Sequence, residues 1–503
     1  MTKIALPRLT PRLAPLLAGM ALSACSMAPK YVEPALPVPA SWPVGDAYLR
    51  QSEAALPSVS YTDIFRDARL QQIIRQALVN NRDLRIAAAN IASARAQYRI
   101  QRAELFPQVN ASGSATRTDS GTGNINSAGQ SNIGGARNSF STDLGINAFE
   151  IDLFGRIRSL STAAQNRYFA TEAAARATRL TLVGDIANAW LTYAADQSLL
   201  RIAQDTAASA DRSVQLTDAR RAGGVAPRTD VAQARLVLAQ AQSDLAEQRT
   251  ALAQDINLLQ LLVGAPVDPA LLPQTIEEAG ATLAELPAGL DSGILLRRPD
   301  VLQAEYELRA TNAEIGAARA ALFPRISLTA ALGLASNMLG DLFTGRAFNY
   351  SVGPGVSYPI FNAGAGRANV RFSEAQREAA LASYERAIQS AFREVADALA
   401  RRGTIGDQTR AAQALAAAAA DNYRLSEARY RGGIDTFLQS LDAQRSLYSA
   451  RRLLVTTQTT AASNLVTLYR VLGGDALLEA TPAGPVPASA AQATPERTLP
   501  SNR

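Results

Sequence analysis

The sequence predicts a mainly α-helical protein with membrane-length β-strands, folded as a tandem repeat. Three observations carry that prediction. The stretch Ala103-Glu104-Leu105-Phe106-Pro107 recurs 217 residues later as Ala320-Ala321-Leu322-Phe323-Pro324. Leu216, Ala219, Arg220, Gly223, Gly224, Ala234, Leu238, Ala241 and Gly264 recur 209 residues later as Leu425, Ala428, Arg429, Gly432, Gly433, Ala443, Leu447, Ala450 and Gly473. Within each copy the apolar period switches from the helical value to the value of two that marks a strand. A repeat of this length means one supersecondary unit used twice, and it organises everything that follows.

The offset falls by eight between the two blocks, so the first copy holds a longer loop between positions 107 and 216. The expected order is a signal segment (1–24), an extended lead-in (25–60), repeat one (61–264), a linker (265–280), repeat two (281–474) and a disordered tail (475–503). Each repeat is expected to hold a helix, two strands and a long helical hairpin.

At the start, Lys3, Arg8 and Arg12 precede an apolar run from Leu13 to Leu22, the layout of a secretory signal. The only cysteine follows directly, in Leu22-Ser23-Ala24-Cys25. That arrangement resembles the lipobox of bacterial lipoproteins, which implies that Cys25 becomes a lipid-modified first residue; an ordinary signal with an incidental cysteine is the alternative. Ser26 stands where an aspartate would favour inner-membrane retention, which points to the outer membrane. Acyl chains on one residue anchor through about 0.8 kcal/mol per buried CH₂. The Pro-rich lead-in and the Ala, Pro, Ser and Thr-rich tail lack period, as extended or disordered chain does.

Composition removes whole classes of function. With no histidine and one cysteine among 503 residues, the chain lacks the means for His acid/base catalysis, His or Cys-rich metal sites and intrachain disulfides. No cofactor or metal is expected. The net charge of +6 is spread as Arg among Glu and Asp along helical faces, which reads as solvated surface and not as a nucleic-acid footprint. Past residue 25 no apolar run reaches the roughly 18 residues of a membrane helix, so any crossing must be made by strands.

The helices come first by length. From Arg158 to Arg221, and again from Ala368 to Arg431, there is no proline. Leu180, Val183, Ala187, Trp190 and Ala194 alternate steps of three and four, and Leu381, Tyr384, Ile388, Ala391, Val395 and Ala398 repeat that seam. Each such helix would run roughly 95 Å at about 1.5 Å per residue. Both stop at glycine pairs, Gly223-Gly224 and Gly432-Gly433, where a left-handed backbone is cheap and the chain can reverse. Val231, Ala234, Leu238, Ala241, Leu245 and Leu252 carry the returning seam in copy one, and 436–472 does so in copy two.

The strands come from alternation. Ile326, Leu328, Ala330, Leu332 and Leu334 alternate with small or polar residues, and Tyr350, Val352, Pro354, Val356, Tyr358 and Ile360 alternate again. In copy one the signal is weaker, at Val109–Ala115 and Leu144–Ala148. Gly, Ser and Asn-rich loops separate them, from 119 to 138 and from 335 to 349. Strands of about ten residues cross a bilayer when tilted. Four cannot close a barrel, since backbone in lipid must be fully paired and bacterial barrels begin at about eight strands. Three chains would bring twelve strands and twelve long helices together.

At this point the chain resembles the TolC-type outer-membrane efflux channels, closest to their lipoprotein branch, the OprM-like and NodT-like factors. The resemblance covers nearly the whole mature chain. Its most specific pieces are Phe149-Glu150-Ile151-Asp152-Leu153-Phe154-Gly155-Arg156, the two Leu-Phe-Pro blocks, and Tyr430-Arg431-Gly432-Gly433 followed by Ser440-Leu441-Asp442-Ala443-Gln444. The family usually has Trp where this chain has Phe149. The resemblance implies a trimeric barrel in the outer membrane continued by a helical periplasmic tunnel, docked on a periplasmic adaptor and an inner-membrane pump of the RND type.

The resemblance also assigns residues. Asp442 matches the family's constricting aspartate, where three carboxylates would narrow the pore; a solvated helix charge is the alternative. Gln439 stands where TolC has a second aspartate. Asp230 takes the comparable place in copy one. Tyr430 and Asp435 match positions that lock neighbouring hairpins together, although TolC has arginine at the latter and Tyr430 serves equally as a packing residue. Arg220, Arg221, Arg429 and Arg431 flank the turns, either to meet the adaptor or to complement the helix dipole. No Gly-x-x-x-x-Gly-Lys-Ser/Thr loop is present, so the duct is expected to be passive and not an enzyme. Protein secretion, metal-ion export and a non-conducting tethered scaffold stand as alternative functions, with a cell-wall hydrolase the remotest.

Overall fold

The computed structural model describes residues 27–32, 34–35, 37–39, 41–43, 48, 60–119, 136–284 and 292–487. The signal segment and Cys25 lie outside the described residues. The elements run α1 (Tyr61–Ile64), α2 (Ala68–Asn80), α3 (Arg82–Ala103), β1 (Val109–Asp119), β2 (Ala136–Glu150), α4 (Arg156–Ala222), α5 (Arg228–Val263), α6 (Ile276–Ala281), α7 (Pro299–Ala320), β3 (Arg325–Ser336), β4 (Phe348–Ser357), α8 (Ala365–Arg431), α9 (Phe437–Val471), β5 (Leu478–Thr481) and β6 (Gly484–Pro487). Both α4 and α8 are 67 residues long and start and stop 209 residues apart, so the repeat is one of structure as well as sequence.

The chain divides into two compact units. One comprises Met1–Pro34, Ala92–Tyr168 and Tyr306–Ala382. It holds an antiparallel sheet in the order β1-β2-β3-β4, with β1 and β4 as its edges. Registers Ala111↔Leu144, Leu144↔Leu332 and Leu332↔Tyr350 carry one apolar row across all four strands. In the single chain that row is largely uncovered, with Leu144, Leu332 and Tyr350 exposed, and Val352 and Val356 further along the same face of β4 are exposed too. Among the described residues no helix is long and apolar enough to cross a membrane, a statement that leaves strands untouched.

The sheet departs from the expected strands in two respects: β4 ends at Ser357, so Tyr358 and Ile360 lie beyond it, where Pro359 has no N–H to add to a ladder, and β2 is longer than expected. β2 runs for 15 residues against 10 in β4, so part of the extra length of copy one is strand and not loop. A register shift between Ile146 and Phe149, with Ala148 at φ 49, marks a bulge that bends it.

The two family-like motifs meet here. Glu150 takes Arg156 in a two-pronged ion pair at 2.8 and 2.7 Å, Asp152 accepts from the Arg158 backbone N–H at 2.8 Å, and Phe154 stacks on Phe323 at 4.7 Å. The stretch 149–156 is thus the joint by which a strand becomes the N-terminus of α4, with carboxylates placed where the helix dipole favours them. The lead-in is held as well: Asn312 donates to the Pro29 carbonyl at 2.8 Å, and a Cβ on Gly316 would come within 2.7 Å of Ala28.

The second unit comprises Ala35–Ile91, Phe169–Glu305 and Ser383–Arg503. Its core gathers Phe65, Leu70, Ile73 and Ile74 of the first helices, Ile186, Trp190 and Leu191 of α4, Leu259 and Val263 of α5, and Val466 and Tyr469 of α9. All five expected seam residues of α4, from Leu180 to Ala194, are buried, as are Tyr384, Ile388, Ala391, Val395 and Ala398 of α8. Leu381, Leu238 and Leu245 are half-buried.

Two expected boundaries are corrected. The linker 265–280 is no plain connector: it holds a turn of helix at Pro269–Leu271 and most of α6, and Ile276 and Ala279 are fully buried in the main core. The tail does not begin at 475, because 478–487 form the hairpin β5-β6. Leu478 is fully buried, and Asp475 pairs with Arg179 at 3.0 Å and accepts from Tyr469 at 3.1 Å. Short Pro and Ala-rich sequence hides a hairpin whose stability comes from what it packs on. Residues 488–503 lie outside the described residues.

Candidate functional site: the paired hairpin tips

The second unit presents the ends of both helical hairpins. α4 closes through Val225 N–H to the Arg220 carbonyl at 2.9 Å and Gly224 N–H to the Arg221 carbonyl at 3.0 Å. α8 closes in the same way, through Ile434 to Arg429 at 2.9 Å and Gly433 to Tyr430 at 3.0 Å. Gly224 and Gly433 both sit at φ 75. This pair of bonds around a left-handed glycine satisfies carbonyls that a helix end would leave bare.

The two turns carry the same backbone but different side chains. In copy two, Arg429 grips Asp435 across its own turn through Nε at 2.6 Å and Nη2 at 2.9 Å. The guanidinium hydrogen bonds hold the Asp435 carboxyl below the usual carboxylate range. In copy one the residue 209 before Asp435 is Ala226, so Arg220 has no such partner in its turn. Arg220 reaches instead to the other hairpin: it donates to the Tyr430 carbonyl at 2.9 Å and lies over the Tyr430 ring at 4.7 Å. A guanidinium over a ring face is attracted to it.

Tyr430 is buried between the hairpins, in a cluster with Ala234, Phe437 and Leu441 to which Val214, Leu216 and Val237 add. Its ring lies 5.3 Å from that of Phe437. Burial pushes its hydroxyl up, Arg220 opposes that and nearby Asp230 adds to it. The hydroxyl meets no hydrogen-bond partner among the described residues. Tyr430 is therefore a packing residue within this chain. Asp230 is half-buried in the first turn of α5, a place that suits a carboxylate.

Asp442 stands apart from all of these. Leu441, Ala443 and Gln444 around it are buried, whereas Asp442 is exposed and makes no ion pair among the described residues. Its side chain projects away from the packing of its own chain. Of the cations at the turns, Arg431 pairs with Glu427 at 2.6 Å and Arg221 with Asp218 at 3.4 Å. Both are exposed contacts of the kind that contribute about 0–1 kcal/mol.

Higher in the hairpin a pair of acids escaped the sequence reading. Asp196 of α4 and Asp255 of α5 face each other in hydrogen-bond contact, and burial followed by Asp196 pushes Asp255 up to about 7. The signal was there: Asp196 lies 26 residues before the end of α4 and Asp255 lies 27 after the start of α5, so the turn brings them level. Among the described residues no group of three or more His, Cys, Asp and Glu is placed to hold a metal.

Known proteins give an independent view of this geometry. The family model described as outer membrane efflux protein matches residues 73–265 and 291–474. The chain is 44% identical over 455 residues to the probable efflux pump outer membrane protein TtgC of Pseudomonas putida KT2440, covering 90% of this chain and 93% of that protein. It is 40% identical over 459 residues to the outer membrane protein OprJ of Pseudomonas aeruginosa PAO1, covering 91% of this chain and 95% of the other. Among solved structures, the open state of the Neisseria gonorrhoeae MtrE outer membrane channel is similar, with a TM-score of 0.79 and 33% identity, covering 90% of this chain and 98% of that one.

Proposed function

The chain belongs to the outer membrane efflux protein family, and from that premise we propose that it is the outer-membrane exit duct of a tripartite efflux pump. It conducts drugs or other small molecules passively from a periplasmic pump assembly to the exterior. The observation that carries this reading is the open four-stranded sheet with β1 and β4 as unpaired edges, joined in the same chain to two long helical hairpins. In lipid such edges must be paired, and a like sheet from another copy of the chain is the fitting partner. Three copies close a twelve-stranded barrel, and the same symmetry gathers six hairpins into a tunnel.

The roles of individual residues follow. Cys25 carries the acyl anchor in the outer membrane. Asp442, free of its own chain's packing, points its carboxylate toward the threefold axis, where three like charges disfavour one another's ionisation and attract cations. Asp230 and Tyr430 set the tip geometry behind it, and Asp435 stiffens the second turn through Arg429. Gly223, Gly224, Gly432 and Gly433 form the surface that meets a periplasmic adaptor, with Arg221 and Arg431 as the charged contacts. The inner-membrane pump supplies the energy, and the duct performs no chemistry of its own.

Single-channel conductance of the purified protein in a planar bilayer tests the reading, with the oligomer mass measured beside it. A trimer of low conductance that rises in Asp442→Ala supports both the pore and the aspartate constriction. A monomer that never conducts overturns the duct in favour of a tethered scaffold.

A further inference from the structure

Behind the apolar row of the four-stranded sheet lies a polar one. Side chains alternate between the two faces of a strand, so the residues one step from Leu144 and Leu332 share the opposite side. There the registers Ser112↔Asp143, Asp143↔Gly333 and Gly333↔Asn349 carry one row across all four strands. The hydroxyls of Ser114 and Ser141 meet at 2.9 Å on the same face, and Thr116, Thr329 and Ser351 extend it. These side chains are small, uncharged and wettable. Asp143 is the exception: among the described residues it is the one formal charge in the middle of this face. Along β2 the next charges on the same side are Arg137 and Glu150, each about 20 Å away at about 3.3 Å per residue, and Arg156 already takes Glu150.

The neighbouring strand leaves room for that carboxylate. Asp143 Oδ1, with the Thr142 carbonyl beside it, fills the space over Gly333 of β3 where any other residue would place its Cβ. Gly333 does not have a positive φ, so its backbone has no need of glycine. What the position requires is the missing side chain. Laid over its neighbour, Asp143 is half-buried even in the single sheet, and it makes no ion pair among the described residues. With Leu144, Leu332 and Tyr350 on the other face of the sheet, an unpaired carboxylate belongs on the side that water reaches.

We propose that Asp143 is a charge filter of the duct, three carboxylates that ring the strand-lined passage at one height and favour cationic over anionic solutes there. This rests on the reading of the protein as a trimeric duct, in which the apolar row faces lipid and threefold symmetry brings the three copies of Asp143 level. Rings of carboxylates in a pore wall draw cations, and the lumen residues of a barrel tune its selectivity. The filter is separate from Asp442, which belongs to the other unit. Because the ring lines a wall and closes no gap, salt sets its reach into the passage: about 30 Å at 0.01 M ionic strength and about 3 Å at 1 M.

Reversal potentials in planar bilayers under a KCl gradient test this, on an Asp442→Ala background so that the tip does not mask the wall. Asp143→Asn keeps the shape over Gly333 and removes the charge. It is expected to lower the preference for K⁺ over Cl⁻ at about 0.01 M salt and to leave it unchanged at about 1 M. An unmoved potential at low salt, in a channel that conducts, overturns the proposal and leaves the duct standing. A shift of equal size at both salts overturns it too, since pore shape and not charge would then be the cause. Asp143→Cys gives a second test that does not depend on the Asn variant assembling: with Cys25 acylated, it supplies the only free thiol of the chain. A methanethiosulfonate that adds a sulfonate is expected to restore the cation preference, and one that adds a trimethylammonium to lower it further. A thiol that neither reagent reaches in a conducting channel puts Asp143 outside the passage and sinks the filter. If no form conducts, the wild type included, the duct itself is overturned and the filter with it.

Discussion

Asp442 and Asp255 show how differently two carboxylates on the same pair of hairpins behave. The first is exposed between the buried Leu441 and Ala443 and shares an open helix face with Gln439 and Arg445. The second is held against Asp196 inside its own hairpin, and burial pushes it up to about 7. The sign of its pH dependence follows from linkage. A carboxyl whose folded value is raised keeps its proton in the folded state while the unfolded chain has lost it, so stability is fully present below the unfolded value and falls as pH rises toward about 7. Asp255→Asn is therefore expected to raise the melting temperature at pH 8 and to change it little at pH 4. A melting series across that range checks this, and an equal gain at both ends would mean that ionisation of the pair is not the source.

At the scale of the element, the two hairpin turns separate backbone demand from side-chain demand. Gly224 and Gly433 hold φ 75, whereas their neighbours Gly223 and Gly432 do not have positive φ. Gly224→Val should cost the left-handed penalty of about 1–2 kcal/mol, and Gly223→Ala much less. Denaturant midpoints of the two variants measure the difference; a Gly223 effect as large as that at Gly224 would refute the capping account. The paired glycines were legible from the sequence because the backbone need is local. The exchange of partners at the turns was not: Arg220 and Arg429 are equivalent by repeat, and only the presence of Asp435 in one copy and Ala226 in the other sends them to different places. The strand-to-helix joint tells the same story, since the spacing of Glu150, Asp152 and Arg156 announced a motif but not that Phe154 would stack on Phe323 from the other copy.

For the whole molecule, the C-terminal segment is the clearest test of where sequence reading ends. Removal of 488–503 should leave the second unit intact, whereas removal from 476 onward strips away Leu478 and the hairpin beside Phe169 and should lower the melting temperature by several degrees, at roughly 2–4 °C per kcal/mol for a unit of this size. Equal melting of the two truncations would show that the hairpin contributes nothing. The repeat, the long proline-free helices, the glycine turns and the period-two strands were all fixed by local pattern, because helix and strand periodicity and turn chemistry act over a few residues. What only the tertiary structure decided was which residues meet across elements: the bulge in β2, the burial of α6, the hairpin 478–487, the Asp196 and Asp255 pair, and the hydrogen bonds of Ser209 with Tyr423 and of Tyr448 with Asp244. Those depend on the stagger of one hairpin against the other, which is set by the summed packing of many small side chains and leaves no mark at any single position.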